Sequence, residues 1–186
     1  MKKTMILDFK TALNYPFKRA MGLWNILWIL LPIFGWFALI GYGVRIIKEF
    51  SKGKFKELPL FNFRSDLSLG FFMFLKAIPF IIVYSLVVFL FDGLGISGGF
   101  IELLLEFFVA PMLTINFVRK ETVSSYFEFR VLKPVFNNFV DYIMVLLRSI
   151  LLFVVFGVMS IILVGIPANV FTQYMFLADF YRRNVK

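Results

Sequence analysis

The chain has 186 residues, 61% of them apolar and 27 of them Phe, with a net charge of +9. Soluble domains are roughly 45–50% apolar, so a chain this short could not hide its hydrocarbon from water and reads as one integral membrane domain, residues 1–186. The absence of Cys and His excludes thiolate and imidazole metal sites, Cys nucleophiles, Ser-His or Cys-His dyads and disulfides.

The start, Met1 to Lys10, resembles a signal peptide for seven residues before Asp8 and Lys10 interrupt its apolar core, so no cleavage is expected. Residues 1–19 read as an amphipathic lead-in at the membrane interface, with Pro16 as a first-turn residue of the helix that follows. From Met21 to Ile47 the chain is apolar apart from Asn25, its glycines and Arg45. Two arrangements fit this stretch, one kinked span or a hairpin turning near Pro32–Gly35. The second keeps the flanking basic clusters on one side, as the positive-inside rule prefers. At 1.5 Å per residue its arms reach only ~24 and ~28 Å, which leaves room for a re-entrant hairpin in a ~30 Å core.

Residues 51–66 form a basic loop whose Phe and Leu side chains are expected to dip into the interface. Leu67–Phe91 is the clearest span, with Lys76 and Pro79 inside it. Asp92–Gly99 is a tight turn; no Gly-Lys-Ser/Thr follows, so its glycines do not read as a phosphate loop. Ile101–Val118 returns, and residues 119–134 are the second basic loop. Tyr142–Val164 contains Arg148, Gly165-Ile166-Pro167 marks another turn, and Ala168–Tyr181 leads to Arg182 and Arg183.

Eighteen of the twenty Lys and Arg fall in Lys2–Arg19, Arg45–Arg64, Arg119–Lys133 and Arg182–Lys186. Cations lose hydration in hydrocarbon and are stabilised among cytoplasmic headgroups. The expected fold is therefore an all-α integral membrane protein of about six helical segments in three hairpins, five transmembrane spans being the alternative. The expected setting is a prokaryotic inner membrane with both termini cytoplasmic. The same context assigns the charge to anionic lipid rather than nucleic acid. Headgroup contacts are expected at Lys52, Lys54, Lys56, Arg64, Arg119, Lys120, Arg182 and Arg183.

Lys76 and Arg148 are the exceptions, since a charge at the bilayer centre costs ~2.5–3.5 kcal/mol on insertion scales. Glu102 and Glu106, four apart, share a helix face. A bridge from Glu106 to Lys76 or Arg148 is expected, either pinning the bundle or lining a polar path; snorkelling to the headgroups is the other reading for the two cations. Asp179 is placed to pair with Arg182 and Arg183 along one helix face.

Tyr15-Pro16-Phe17, Gly41-Tyr42-Gly43-Val44-Arg45, Lys52-Gly53, Leu58-Pro59, and then Gln173-Tyr174 and Tyr181-Arg182, resemble a widespread prokaryotic family of small multi-pass membrane proteins catalogued as a domain of unknown function. The resemblance implies architecture and no activity. It also implies an acidic residue soon after the Leu-Pro, where this chain has Phe61-Asn62-Phe63-Arg64.

With no catalytic residues, cofactor or metal in view, the expected function is non-enzymatic. The chain reads as a scaffold or accessory subunit that binds anionic lipid through its basic face, together with an unidentified membrane protein or further copies of itself. A small oligomeric transporter or channel with a polar path near Lys76, Glu106 and Arg148 is the alternative. A lipid-modifying enzyme would need His, Cys or clustered Asp.

Overall fold

The structure is a computed structural model that describes residues 6–92 and 95–185; among them every regular element is helical. A short helix α1 (Phe9–Asn14) leads into a 3-10 stretch, Pro16–Leu30, and then α2 (Phe34–Ser51). These two arms run antiparallel. Tyr15 meets Phe50 edge-on at 5.1 Å, Gly22 lies beside the Tyr42 hydroxyl, and Trp36 Nε1 donates to the Ile29 carbonyl at 2.9 Å. Residues 16–51 are thus a helical hairpin, not one kinked helix.

Its apex, with no polar turn residue, reverses through a γ-turn: the Phe34 N–H donates to the Pro32 carbonyl at 2.7 Å around Ile33 at φ 64°, ψ −68°. That conformation is strained for a β-branched residue. Gly35 completes the apex, because a Cβ there would lie 1.8 Å from the Trp28 carbonyl oxygen.

The second hairpin joins α3 (Phe63–Asp92) to α4 (Ile96–Leu104) and α5 (Ala110–Lys120), with a π-helical turn, Leu105–Val109, between the last two. Pro111 has no N–H and so leaves the Phe107 carbonyl without its helical partner. Tyr142 supplies one instead, its hydroxyl donating at 2.6 Å. Tyr142 belongs to α7 (Phe139–Met159), which follows α6 (Lys133–Asn137) and pairs with α8 (Gly165–Thr172) and α9 (Met175–Asn184). Asn169 Nδ2 bonds the Phe153 carbonyl at 3.2 Å, while nearer the termini Tyr142 meets Phe180. That order makes the third hairpin antiparallel as well.

Three helices, Phe63–Phe91, Gly99–Lys120 and Phe139–Ile162, are long and apolar enough to cross a membrane. The first hairpin packs on the N-terminal part of α3. Gly41 and Gly70 let the helices touch backbone to backbone: a Cβ on Gly70 would sit 1.8 Å from the Phe37 carbonyl oxygen, and one on Gly41 1.9 Å from that of Asp66. Phe37 packs against Phe71 and Phe74, whereas Ile82, Leu86, Phe89 and Leu90, further along α3, stay exposed.

Three expectations change. Residues 1–5 of the lead-in lie outside the described residues, and the rest packs one face on protein. Leu7, Ala12 and Tyr15 are buried in protein and Phe9 stacks on Phe176. In the basic loop Leu58 turns inward, fully buried beside Gly22, because the hairpin supplies an apolar slot nearer than lipid. Gly165–Pro167 is the first turn of α8 and not the reversal, which falls at Leu163, φ 63°, where the Val164 N–H bonds the Ile162 carbonyl at 2.8 Å. Of the Asp92–Gly99 turn, residues 93 and 94 lie outside the described residues, and α4 already begins at Ile96.

Candidate functional site: the polar end of the bundle

The three hairpin bases meet at one end, where nearly all of the paired charge of the described residues collects. The first node forms where α2 crosses α3. Arg45 Nε and one terminal nitrogen grip the two Asp66 oxygens at 2.6 and 2.7 Å, and that nitrogen also donates to the Leu60 carbonyl at 2.6 Å. Asp66 is fully buried in the first turn of α3 and also accepts the N–H of Asn62 at 2.8 Å, while Asn62 Oδ1 caps the helix by accepting the Ser65 N–H at 3.0 Å. Tyr42, one turn before Arg45, donates its hydroxyl to the Pro59 carbonyl at 3.0 Å. Arg19 reaches the same segment. Its non-helical backbone (φ −131°, ψ 71°) lets the guanidinium contact the Leu58 carbonyl and Glu57, each at 2.7 Å. Three consecutive carbonyls, of Leu58, Pro59 and Leu60, are thus held by side chains of the first hairpin.

A second node ties the termini together. Asp179, buried, accepts from the Leu7 N–H at 3.2 Å, from Arg182 Nε at 2.8 Å and from Arg183 Nε at 3.1 Å. Arg183 continues to Asp141 at 2.9 Å. The helix-face pairing expected for Asp179 is present, and it also fastens the N-terminal strand of chain to α9 and α7. Arg148 belongs here: a terminal nitrogen lies 3.4 Å from the Leu7 carbonyl. Lys48 pairs with Glu121 between α2 and the end of α5.

Burial, then the charges of Lys52 and Lys76, push the Lys48 ammonium below its usual range. Among the described residues no ion pair joins Glu106 to Lys76 or Arg148, and the expected bridge is absent. Glu106 instead lines a cavity of about 340 Å³ with Ser149, Asn169, Thr172 and Gln173, which neither Lys76 nor Arg148 borders. Glu102 is half-buried one turn earlier.

The basic residues expected at headgroups divide into two sets. Lys52, Lys54, Lys56, Arg64, Arg119 and Lys120 are exposed. Arg182 and Arg183 turn inward; the first also lies over the Phe55 ring at 5.5 Å, and the second is only 10% exposed. Asp179 outcompetes solvent for them, because an unpaired buried carboxylate is costly.

Asp66 is the residue that sequence reasoning missed. Its signal was available, an acid in the first turn of a helix entering directly from a basic loop, seven residues beyond Pro59.

A helical bundle with three apolar helices of membrane-crossing length and an end made of ion pairs is compatible with a membrane protein. The chain matches the family described as Protein of unknown function (DUF4013) over residues 25–165 and belongs to that family. The Gly41–Arg45 and Leu58-Pro59 segments and Asp66 fall inside the match, whereas Tyr15–Phe17 and the C-terminal helix fall outside it. Comparison with curated proteins and with solved structures returns no match.

Proposed function

We propose that this protein is a non-enzymatic multi-pass membrane scaffold or accessory subunit that presents a rigid basic face to anionic lipid on the cytoplasmic side and binds another membrane protein through its apolar spans. The observation that carries the reading is how the basic loop is held. Side chains of Arg19, Tyr42 and Arg45 fix the carbonyls of residues 58–60, while Lys52, Lys54, Lys56 and Arg64 stay exposed with no ion pair among the described residues. The buried carboxylates Asp66 and Asp179 are taken by Arg45, Arg182 and Arg183, so these four exposed cations are left for an external anion. Each such cation near an anionic surface contributes about 1 kcal/mol. The positive-inside rule puts this end, and both termini, in the cytoplasm. The first hairpin, packed on only the first part of α3, then enters the bilayer as a re-entrant element beside the longer spans.

One observation favours a transporter as the second reading: the Glu106 cavity gathers a carboxylate and four neutral polar side chains, Glu106 and Ser149 among them on helices of membrane-crossing length. Purification in mild detergent, followed by reconstitution, separates the two. A stoichiometric membrane-protein partner and no solute flux support the scaffold. A defined homo-oligomer whose cation flux is lost in Glu106→Gln overturns it.

A further inference from the structure

The exposed basic residues are not spread evenly, and one group encloses a cavity. The end of α5, the loop after it, α6 and the end of α9 surround about 460 Å³ lined by Arg119, Lys120, Arg130 and Lys133, with Glu128 as its single carboxylate. Glu128 is committed to Lys120 and to Arg130, the latter at 3.3 Å. Arg119 and Lys133 have no carboxylate partner among the described residues, so the cavity keeps an uncompensated positive charge.

The wall behind these charges is rigid. Tyr181 donates its hydroxyl to Asn116 Oδ1 at 2.6 Å, and Asn116 Nδ2 donates to the Ser125 carbonyl at 2.7 Å, all in the buried interior. The Arg119 guanidinium rests over the Tyr181 ring at 5.1 Å, which limits its freedom and presents its N–H groups at the cavity. Asn137 adds a neutral amide to the lining. A guanidinium held in place, an ammonium and an amide around a concave space suit an oxyanion rather than an apolar group, and a phosphate, with more acceptor oxygens than a carboxylate, can meet all three donors at once. The cavity lies at the end of the helix Gly99–Lys120, at headgroup depth if that helix spans.

We infer that this cavity is a selective site for a phosphate group, carried by a lipid headgroup or by a soluble phosphate, with Arg119 and Lys133 as its principal ligands. The inference rests on the reading of this end as the lipid-facing cytoplasmic surface and narrows it from a diffuse basic face to one pocket.

The test uses the full chain in mild detergent and native mass spectrometry, titrating short-chain phosphatidylglycerol, phosphatidylcholine of equal chain length, and inorganic phosphate. One phosphatidylglycerol is expected to bind in preference to phosphatidylcholine. Arg119→Gln/Lys133→Gln should weaken it about 30-fold, taking about fivefold per cation at an anionic surface. Lys52→Gln/Lys54→Gln/Lys56→Gln should leave this site unchanged. Lys133→Gln alone, an exposed position outside every ion pair of the described residues, should cost about fivefold and guards against misfolding of the double variant. Inorganic phosphate that competes at millimolar level or below assigns the site to a soluble phosphate; displacement by lipid alone assigns it to a headgroup. If binding survives in both pocket variants and falls only in the loop variant, the pocket is not the site and the broader lipid-facing reading stands. If no variant changes binding, or phosphatidylcholine binds equally, both are overturned.

Discussion

The two ends of the bundle solve the problem of ending a helix in opposite ways. At the polar end, backbone groups and charges are paired with each other: Asp66 takes Arg45 and the Asn62 N–H, Asp179 takes two arginines and the Leu7 N–H, and three loop carbonyls take side-chain donors. At the first and third hairpin tips no ion pair is present among the described residues, and the side-chain bonds are neutral, from Trp36 to the Ile29 carbonyl and from Ser160 to that of Phe156. The first and third hairpins reverse through tight turns centred on an apolar residue at positive φ, Ile33 and Leu163, each followed two residues later by a glycine pressed against a backbone carbonyl, Gly35 on Trp28 and Gly165 on Phe156. Water and charge stabilise one end, while backbone strain and close packing are tolerated at the other. That difference implies that the polar end carries the specificity of the fold and the tips are set by whatever apolar medium surrounds them.

The strongest way to break this contrast is to remove the buried carboxylate of the polar end. Asp66→Ala should lower unfolding stability in detergent by about 3–5 kcal/mol, because it leaves the partly buried Arg45 without its partner and the Asn62 N–H without its acceptor. Chemical denaturation followed by circular dichroism measures it. A loss under 1 kcal/mol would mean that the node is replaceable by water. Gly70→Ala tests the crossing just beyond: a Cβ would lie 1.8 Å from the Phe37 carbonyl oxygen, and backbone cannot yield as a side-chain end can. The expected loss is about 1–3 kcal/mol, with altered Trp fluorescence from the adjoining hairpin.

At the tips the sign should reverse. Ile33→Gly removes a β-branched side chain that is 58% exposed and frees a backbone at φ 64°. It should stabilise by about 1 kcal/mol, offset in part by the added freedom of the unfolded chain. A loss of stability would show that Ile33 makes apolar contacts in detergent that outweigh its strain.

Much of the architecture was readable from charge spacing and apolar runs. Three hairpins follow from where basic clusters recur, since each return to the same side needs a reversal, and Pro32–Gly35 marked the first one without any polar turn residue. The depth of that hairpin was not readable, because it is set by the Gly41–Gly70 contact between helices, and a glycine in sequence does not name its partner. The charged residues were harder still. Glu106 and Lys76 looked like partners because their helices are consecutive, but pairing is decided by azimuth around each helix, and Glu106 lines a cavity with residues of α7 and α8 instead. Arg182 and Arg183 looked like surface cations for the same reason that Asp179 looked like a surface acid. Only the fold shows that Leu7 bonds Asp179, that Arg182 lies over Phe55 and that Arg183 reaches Asp141.

The smallest expected effect concerns Glu128, the acid beside the basic cavity. The hydrogen bond from Lys120 chiefly holds its carboxyl below the usual range, aided by the Asn116 amide and the charges of Lys120 and Arg130, against a smaller opposing effect of burial. A carboxyl whose folded pKa lies below its unfolded one contributes stability above the ordinary carboxylate range and loses it as pH falls through the folded value. Wild type should therefore melt slightly above Glu128→Gln at neutral pH, and the gap should close on acidification below about pH 4. The same substitution removes the one negative charge from the cavity, so phosphate-dependent stabilisation should grow in Glu128→Gln even as intrinsic stability falls. Melting curves with and without inorganic phosphate separate the two: a parallel loss in both would show Glu128 acting only as a structural partner for Lys120, whereas opposite signs would show that it sets the charge available to an anion at this end.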